Sequence, residues 1–157
     1  MRFLYKNAIL TSNLAGGRKQ MGGSMNRFDV MIEKIYYINK RYEVISTFAL
    51  LYHEQPIHVD VLGSFIRLSD HVISVDDQHD FIIFTFTPEA NAYKAAQNLL
   101  NKLDNHFSDR SSCMALDSFD TNRTPNNVLS RLRQILAETR RGSFARIETD
   151  AILDVRL

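Results

Sequence analysis

The stretch Arg67–Phe86, RLSDHVISVDDQHDFIIFTF, decides the fold. Its β-branched and aromatic runs HVISV and FIIFTF flank a short polar cluster, which reads as two strands joined by a tight hairpin turn. The turn gathers Asp76, Asp77, His79 and Asp80. Such a set suits a metal or phosphoryl site, a solvated turn, or the remains of a site that has lost its chemistry.

Upstream, VISTFALLYH (Val44–His53) is apolar on both faces, as a strand covered on both sides would be. Pro56 breaks the chain, and Val59, Leu62, Phe65 and Ile66 mark a short helix before the hairpin. Downstream, Thr87 and Pro88 read as the N-cap and first-turn proline of a helix whose apolar face is Tyr93, Ala96, Leu99, Leu100, Leu103 and Phe107. A strand over Met114–Phe119 follows. Thr124 and Pro125 repeat the start signal for a last helix with Val128, Leu129, Leu132, Ile135 and Leu136, closed by Gly142, and FARIE forms a final short strand. The order implies an α+β fold: a ferredoxin-like βαββαβ core with an added C-terminal helix and strand, helices on both faces, and the two most apolar strands, first and third, at its centre.

Before the first strand, Phe28, Met31, Ile32, Ile35 and Tyr42 recur at helical spacing. Four of the six glycines lie in GGRKQMGG, so residues 1–25 are expected to be a flexible arm and residues 26–157 a single domain. These glycines make no phosphate loop, because the preceding strand and the Gly-Lys-Ser/Thr ending are missing.

A formal net charge of +1 over 157 residues makes no demand for a nucleic acid or an anionic membrane. The apolar stretches are too short to insert in a membrane, and the lone Cys113 fits a reducing compartment, so a cytoplasmic domain is expected. Cys113 reads as a small buried thiol. HEQPIHVD places His53 and His58 five apart around Pro56, which breaks the spacing that a zinc-protease helix requires. Phe81, Phe84 and Phe86 invite comparison with base-stacking strands, but Ile82 and Ile83 make both faces apolar and no basic-glycine entry precedes them, so core packing is the better account. Arg140 and Arg141 oppose the dipole at the end of the last helix.

The order of elements and several local strings, between about Asn26 and Ile147, together resemble the GGDEF domain of bacterial diguanylate cyclases, which make cyclic di-GMP from two GTP. MNRFDVMIEKIYYINKRYEVISTFALLY resembles that family's opening helix and first strand, RLSDHV its Arg-x-x-Asp element before the signature hairpin, and VLSRLRQILAETRRG followed by FARI its closing elements. The departures are local to the active site. Aligned on Phe81, Asp77, Gln78, His79 and Asp80 replace the Gly-Gly-Asp-Glu of the signature, with one extra residue in the turn. Where the family has a metal-binding aspartate after the first strand, this chain has Tyr52, His53 and Glu54. Most of the guanine-recognition stretch is absent, and the phosphate-contacting lysine of the last helix falls near Thr139 or Arg140.

The resemblance therefore implies a catalytically inactive regulatory module with no catalytic residues, no metal and no cofactor. Arg67 and Asp70 retain the form of the family's product-binding motif, which implies a cyclic di-GMP receptor. A protein partner or self-association is the other expected role; a structural dimerisation domain and residual cyclase activity are the alternatives. For the arm, limited proteolysis is expected to cut near Arg18 or Lys19 and leave a folded remainder; full protection of those bonds would make the arm part of the fold.

Overall fold

The computed structural model describes residues 20–118, 120, 122–142 and 145–154. Helix α1 (Gln20–Tyr42) leads into β1 (Thr47–Tyr52), followed by α2 (Val59–Ser64), the hairpin β2 (His71–Asp76) and β3 (His79–Phe84), then α3 (Glu89–Phe107), β4 (Cys113–Ser118), α4 (Pro125–Gly142), β5 (Ile147–Glu148) and α5 (Ala151–Asp154). The five strands form one sheet in the order β2-β3-β1-β4-β5, antiparallel except for the parallel β4–β5 pair. The first four strands have the expected ferredoxin-like order, and β5 is the addition.

Every residue of β1 is buried. Alternate side chains point to opposite faces of a strand, so Ala49 and Leu51 join the core under α2 and α3, while Phe48, Leu50 and Tyr52 join the core under α1 and α4. β3 divides likewise, Ile82 and Phe84 to one side and Phe81 and Ile83 to the other. That is why neither strand alternates polar with apolar. Phe81 stacks on Phe48 with centroids 5.7 Å apart, so it packs the core and offers no face to a base. Each fully buried leucine or phenylalanine here contributes about 1.5–3 kcal/mol.

Three boundaries differ from the sequence reading, each for a local reason. α1 begins at Gln20, so residues 20–25 of the expected arm are helical, and the rest of the arm lies outside the described residues. β1 starts at Thr47 rather than Val44 because Glu43 turns left-handed (φ 53°) and the Val44 amide donates back to the Asn39 carbonyl at 3.0 Å. α3 starts at Glu89 with Pro88 in the N-cap position; the Thr87 hydroxyl makes no cap and instead donates to the Thr85 carbonyl at 2.8 Å. Thr124 does cap α4, accepting from the Asn127 amide at 3.2 Å. Among the described residues no helix is long and apolar enough to cross a membrane.

At the end of β4, the buried Asp117 holds the loop and α4 against the sheet by accepting from Arg123 Nη1 at 3.1 Å and Arg131 Nε at 2.9 Å. Removing one partner of a fully buried ion pair costs about 3–5 kcal/mol. Both arginines remain partly exposed. Asp117→Ala is therefore expected to cost about 2 kcal/mol, read from the shift in the urea unfolding midpoint; an unchanged midpoint would remove Asp117 as the anchor.

Candidate functional site

The hairpin tip is built without glycine. Asp77 and Gln78 form the turn, and neither is left-handed. The pairing instead slips, Ser74 opposite Asp80 but Asp76 opposite His79, so the extra residue is absorbed as a bulge at Val75. Asp76 then closes the turn: its Oδ1 accepts from the Gln78 amide and from His79 Nδ1, both at 2.8 Å. Partial burial raises the Asp76 carboxyl, but the hydrogen bonds from His79 and Gln78 outweigh it and hold the group below its ordinary value.

Beneath the tip, His53 follows the last residue of β1, and its ring is buried against Asp80 of β3. Nε2 lies 2.6 Å from Asp80 Oδ2, and Nδ1 lies 2.8 Å from the Gln55 carbonyl. A carbonyl only accepts, so Nδ1 carries a proton. The short contact on the other side then holds a second proton between Nε2 and the carboxylate. Burial pushes the Asp80 carboxyl up despite the pull of His53. Burial works against a charged His53, yet the bond and charge of Asp80 raise it overall. The pair is net neutral and self-satisfied, and the His53 ring packs on Phe107.

Asp76, Asp77 and Asp80 thus do not converge: one is bonded within the turn, one is exposed, and one is buried against His53. Magnesium asks for octahedral oxygen ligands, and this arrangement does not fit it. Among the described residues no group of three or more His, Cys, Asp and Glu side chains could hold a metal ion. His58, the other histidine of HEQPIHVD, stands at the start of α2 and accepts from the Asp60 amide at 3.1 Å. Burial pushes the Cys113 thiol up to about 11, so it is inert at neutral pH.

At the opposite end of the hairpin, Arg67 and Asp70 meet. Arg67 Nε donates to Asp70 Oδ2 at 3.0 Å and Nη2 to Oδ1 at 2.7 Å, a fork that raises the guanidinium further above its ordinary value. Nη2 also donates to the Thr87 hydroxyl at 2.6 Å, which is why Thr87 does not cap α3. Asp70 is 1% exposed and accepts in addition from the Thr85 amide, whereas the Arg67 side chain is 52% exposed. Beside them runs a groove of about 260 Å³ between the α2 end and α3, lined by Phe65, Ile66, Ala95, Asn98 and Lys102.

The sequence reading missed His53 as the partner of Asp80 and missed Asn98 and Lys102 beside Arg67. The first pair lies 27 residues apart and is created only by the β1–β3 pairing, for which no local string is a signal. Lys102 follows from helical spacing alone, one turn after Asn98 on α3.

The sequence matches no family model and no curated protein. The fold, however, is shared with solved GGDEF domains. The GGDEF domain of DgcB from Caulobacter crescentus, solved in complex with cyclic di-GMP, superposes with a TM-score of 0.63 at 10% identity over 80% of this chain and 90% of that one. The FimX GGDEF domain from Pseudomonas aeruginosa gives 0.60 at 14% identity over 79% and 91%. The diguanylate cyclase SiaD from the same organism, solved with its activator SiaC, gives 0.61 at 9% identity over 78% and 56%. The chain therefore has the GGDEF-domain fold.

The His53–Asp80 pair makes stability depend on pH. Above about 6.5, the unfolded pair keeps only the N–H of neutral imidazole, whereas the folded pair keeps one proton more. His53 is raised in the fold, so its contribution is full below the unfolded histidine value and is lost as pH climbs through the folded one. Urea unfolding between pH 6 and pH 9 is expected to show this decline, and Asp80→Asn to abolish it. An equal slope in both proteins would mean that the pair does not share a proton.

Proposed function

We propose that this chain is a catalytically inactive GGDEF-fold regulatory module that receives cyclic di-GMP at Arg67 and Asp70. The observation that supports the first part is the His53–Asp80 pair: the two side chains satisfy each other, and among the described residues no group of three or more His, Cys, Asp and Glu side chains could hold a metal ion. The turn itself supports the same reading, since Asp77 and Gln78 put side chains where a glycine backbone would approach a triphosphate.

The receptor part is supported by the groove beside Arg67. Arg67 and Lys102, whose ammonium donates to the Phe65 carbonyl at 3.3 Å, both line it as cations suited to the phosphates of a cyclic dinucleotide, while Phe65, Ile66 and Ala95 provide apolar surface for a base. Asp70 is buried and serves first to hold the arginine fork in place. It reaches a guanine edge itself only if Arg67 swings away. The burial of Asp70 also favours a second reading, a dimerisation or protein-interaction module in which Arg67 and Asp70 merely tie β2 to the start of α3. That SiaD was solved with a protein activator supports a protein partner under either reading.

Two measurements test the proposal. Incubation with GTP and magnesium or manganese is expected to yield no cyclic di-GMP by chromatography; steady enzyme-dependent product would restore the cyclase reading. Calorimetric titration with cyclic di-GMP, GTP and GMP is expected to show binding of the first. A charge-assisted arginine contact is worth about 1.5–3 kcal/mol, so Arg67→Ala should weaken binding roughly 10- to 100-fold. Asp70→Ala acts in the same direction by releasing the fork, and Arg67→Lys fails to rescue because an ammonium cannot fork. Thermal unfolding of each variant separates lost binding from lost fold. A wild type that binds no nucleotide would leave the interaction module as the function.

A further inference from the structure

Beyond β1, most arginines of the described chain are paired with carboxylates: Arg67 with Asp70, Arg110 and Arg146 with Asp104, Arg123 and Arg131 with Asp117, and Arg141 with Glu138. Arg133 and Arg140 have no carboxylate partner among the described residues. These two line one cavity of about 140 Å³, together with Leu50, His79, Leu136 and Ala137. They lie seven residues apart on α4, about 10 Å along one helix face, with Leu136 and Ala137 between them.

Arg140 is held in place without being neutralised. The Arg140 guanidinium lies 3.8 Å above the Tyr52 ring, and the His79 ring packs against the same tyrosine at 5.5 Å. His79 spends Nδ1 on Asp76, which leaves Nε2 as its free ring nitrogen. Asp76 is bonded to His79, and Glu138 is engaged by Arg141. The cavity thus joins the apolar Leu50, Leu136 and Ala137 to two guanidinium groups, one of them stacked on Tyr52, and an imidazole.

From this geometry we infer that the α4 face beside the hairpin is a docking site for an acidic segment of a partner protein. The inference rests on the reading that this face performs no nucleotide chemistry. Charge complementarity selects the occupant: a carboxylate side chain matches a guanidinium fork without a metal, whereas a triphosphate relies on a cation that the committed carboxylates of the hairpin do not hold. The cavity is small enough for a carboxylate and its neighbouring apolar side chain. An acidic segment with an apolar residue uses both the cations and the apolar side chains.

The test is titration of the ¹⁵N-labelled full chain with the blocked peptide Glu-Glu-Phe-Glu-Glu, followed by amide shifts. Shifts are expected at Leu50, His79 and the Arg133–Arg140 turns, fading as salt is raised. Arg133→Gln and Arg140→Gln are each expected to weaken binding about fivefold, and the double variant more than either. Arg133 has no partner to lose, so its variant tests the idea without disturbing the Tyr52 stack. The inference is overturned if the peptide does not bind at millimolar concentration, if Gln-Gln-Phe-Gln-Gln binds as well, or if inorganic pyrophosphate occupies the face in preference to the peptide. Displacement of the peptide by magnesium GTP with turnover would instead overturn the underlying reading of an inactive hairpin.

Discussion

β1 carries the structure because it is buried along its whole length and hydrogen-bonded on both sides, to β3 and to β4. A strand covered on both faces has no room for a polar side chain between its ends. Polar chemistry is therefore pushed to the two termini. At the start, Thr47 donates to the Thr87 carbonyl at 2.8 Å, beside the Arg67 fork. At the far end, His53 meets Asp80 under the hairpin tip. The two candidate sites sit at opposite ends of the hairpin because the middle strand admits nothing between them.

The two ends spend their charge differently. Asp70 is buried beneath an arginine whose other edge remains in water, so that end keeps an exposed cation on a fixed mount. Asp80 is buried against a histidine that is itself enclosed, so this pair keeps no exposed charge. Burying an unpaired carboxylate would cost several kcal/mol, and a neighbouring imidazole removes that cost by sharing a proton. A metal ion would do the same by its charge. In the absence of converging oxygen ligands, the imidazole is the arrangement that satisfies Asp80.

Much of the fold was legible in the residues themselves. The doubly apolar runs at Phe48–Leu51 and Phe81–Phe84 mark the central pair because burial on both faces erases alternation, and the Thr124-Pro125 signal marks a real cap. The similar signal at Thr87-Pro88 fails for a tertiary reason: Arg67, twenty residues away, takes the hydroxyl that the helix would have used. The start of β1 was misplaced because the left-handed turn at Glu43 carries no glycine to announce it. Of the candidate sites, Arg67 and Asp70 were legible as a local spacing. The His53–Asp80 pair was not, because strand register rather than sequence proximity creates it.

The near-neutral net charge conceals this organisation, since a balance of +1 says nothing about where the unbalanced charges lie. Asp104 and Asp117 each gather two arginines, which concentrates compensation at the β5 edge and at the α4 start. The same helix that is neutralised by Asp117 near its beginning runs on past Arg133 to Arg140, neither of which has a carboxylate partner among the described residues. The helix packs on the core along its length, through Val128, Leu132, Ile135 and Leu136, and carries these two arginines on its exposed face. The cations of α4 left without a carboxylate thus gather beside the hairpin, where Arg133 and Arg140 line one cavity together with His79.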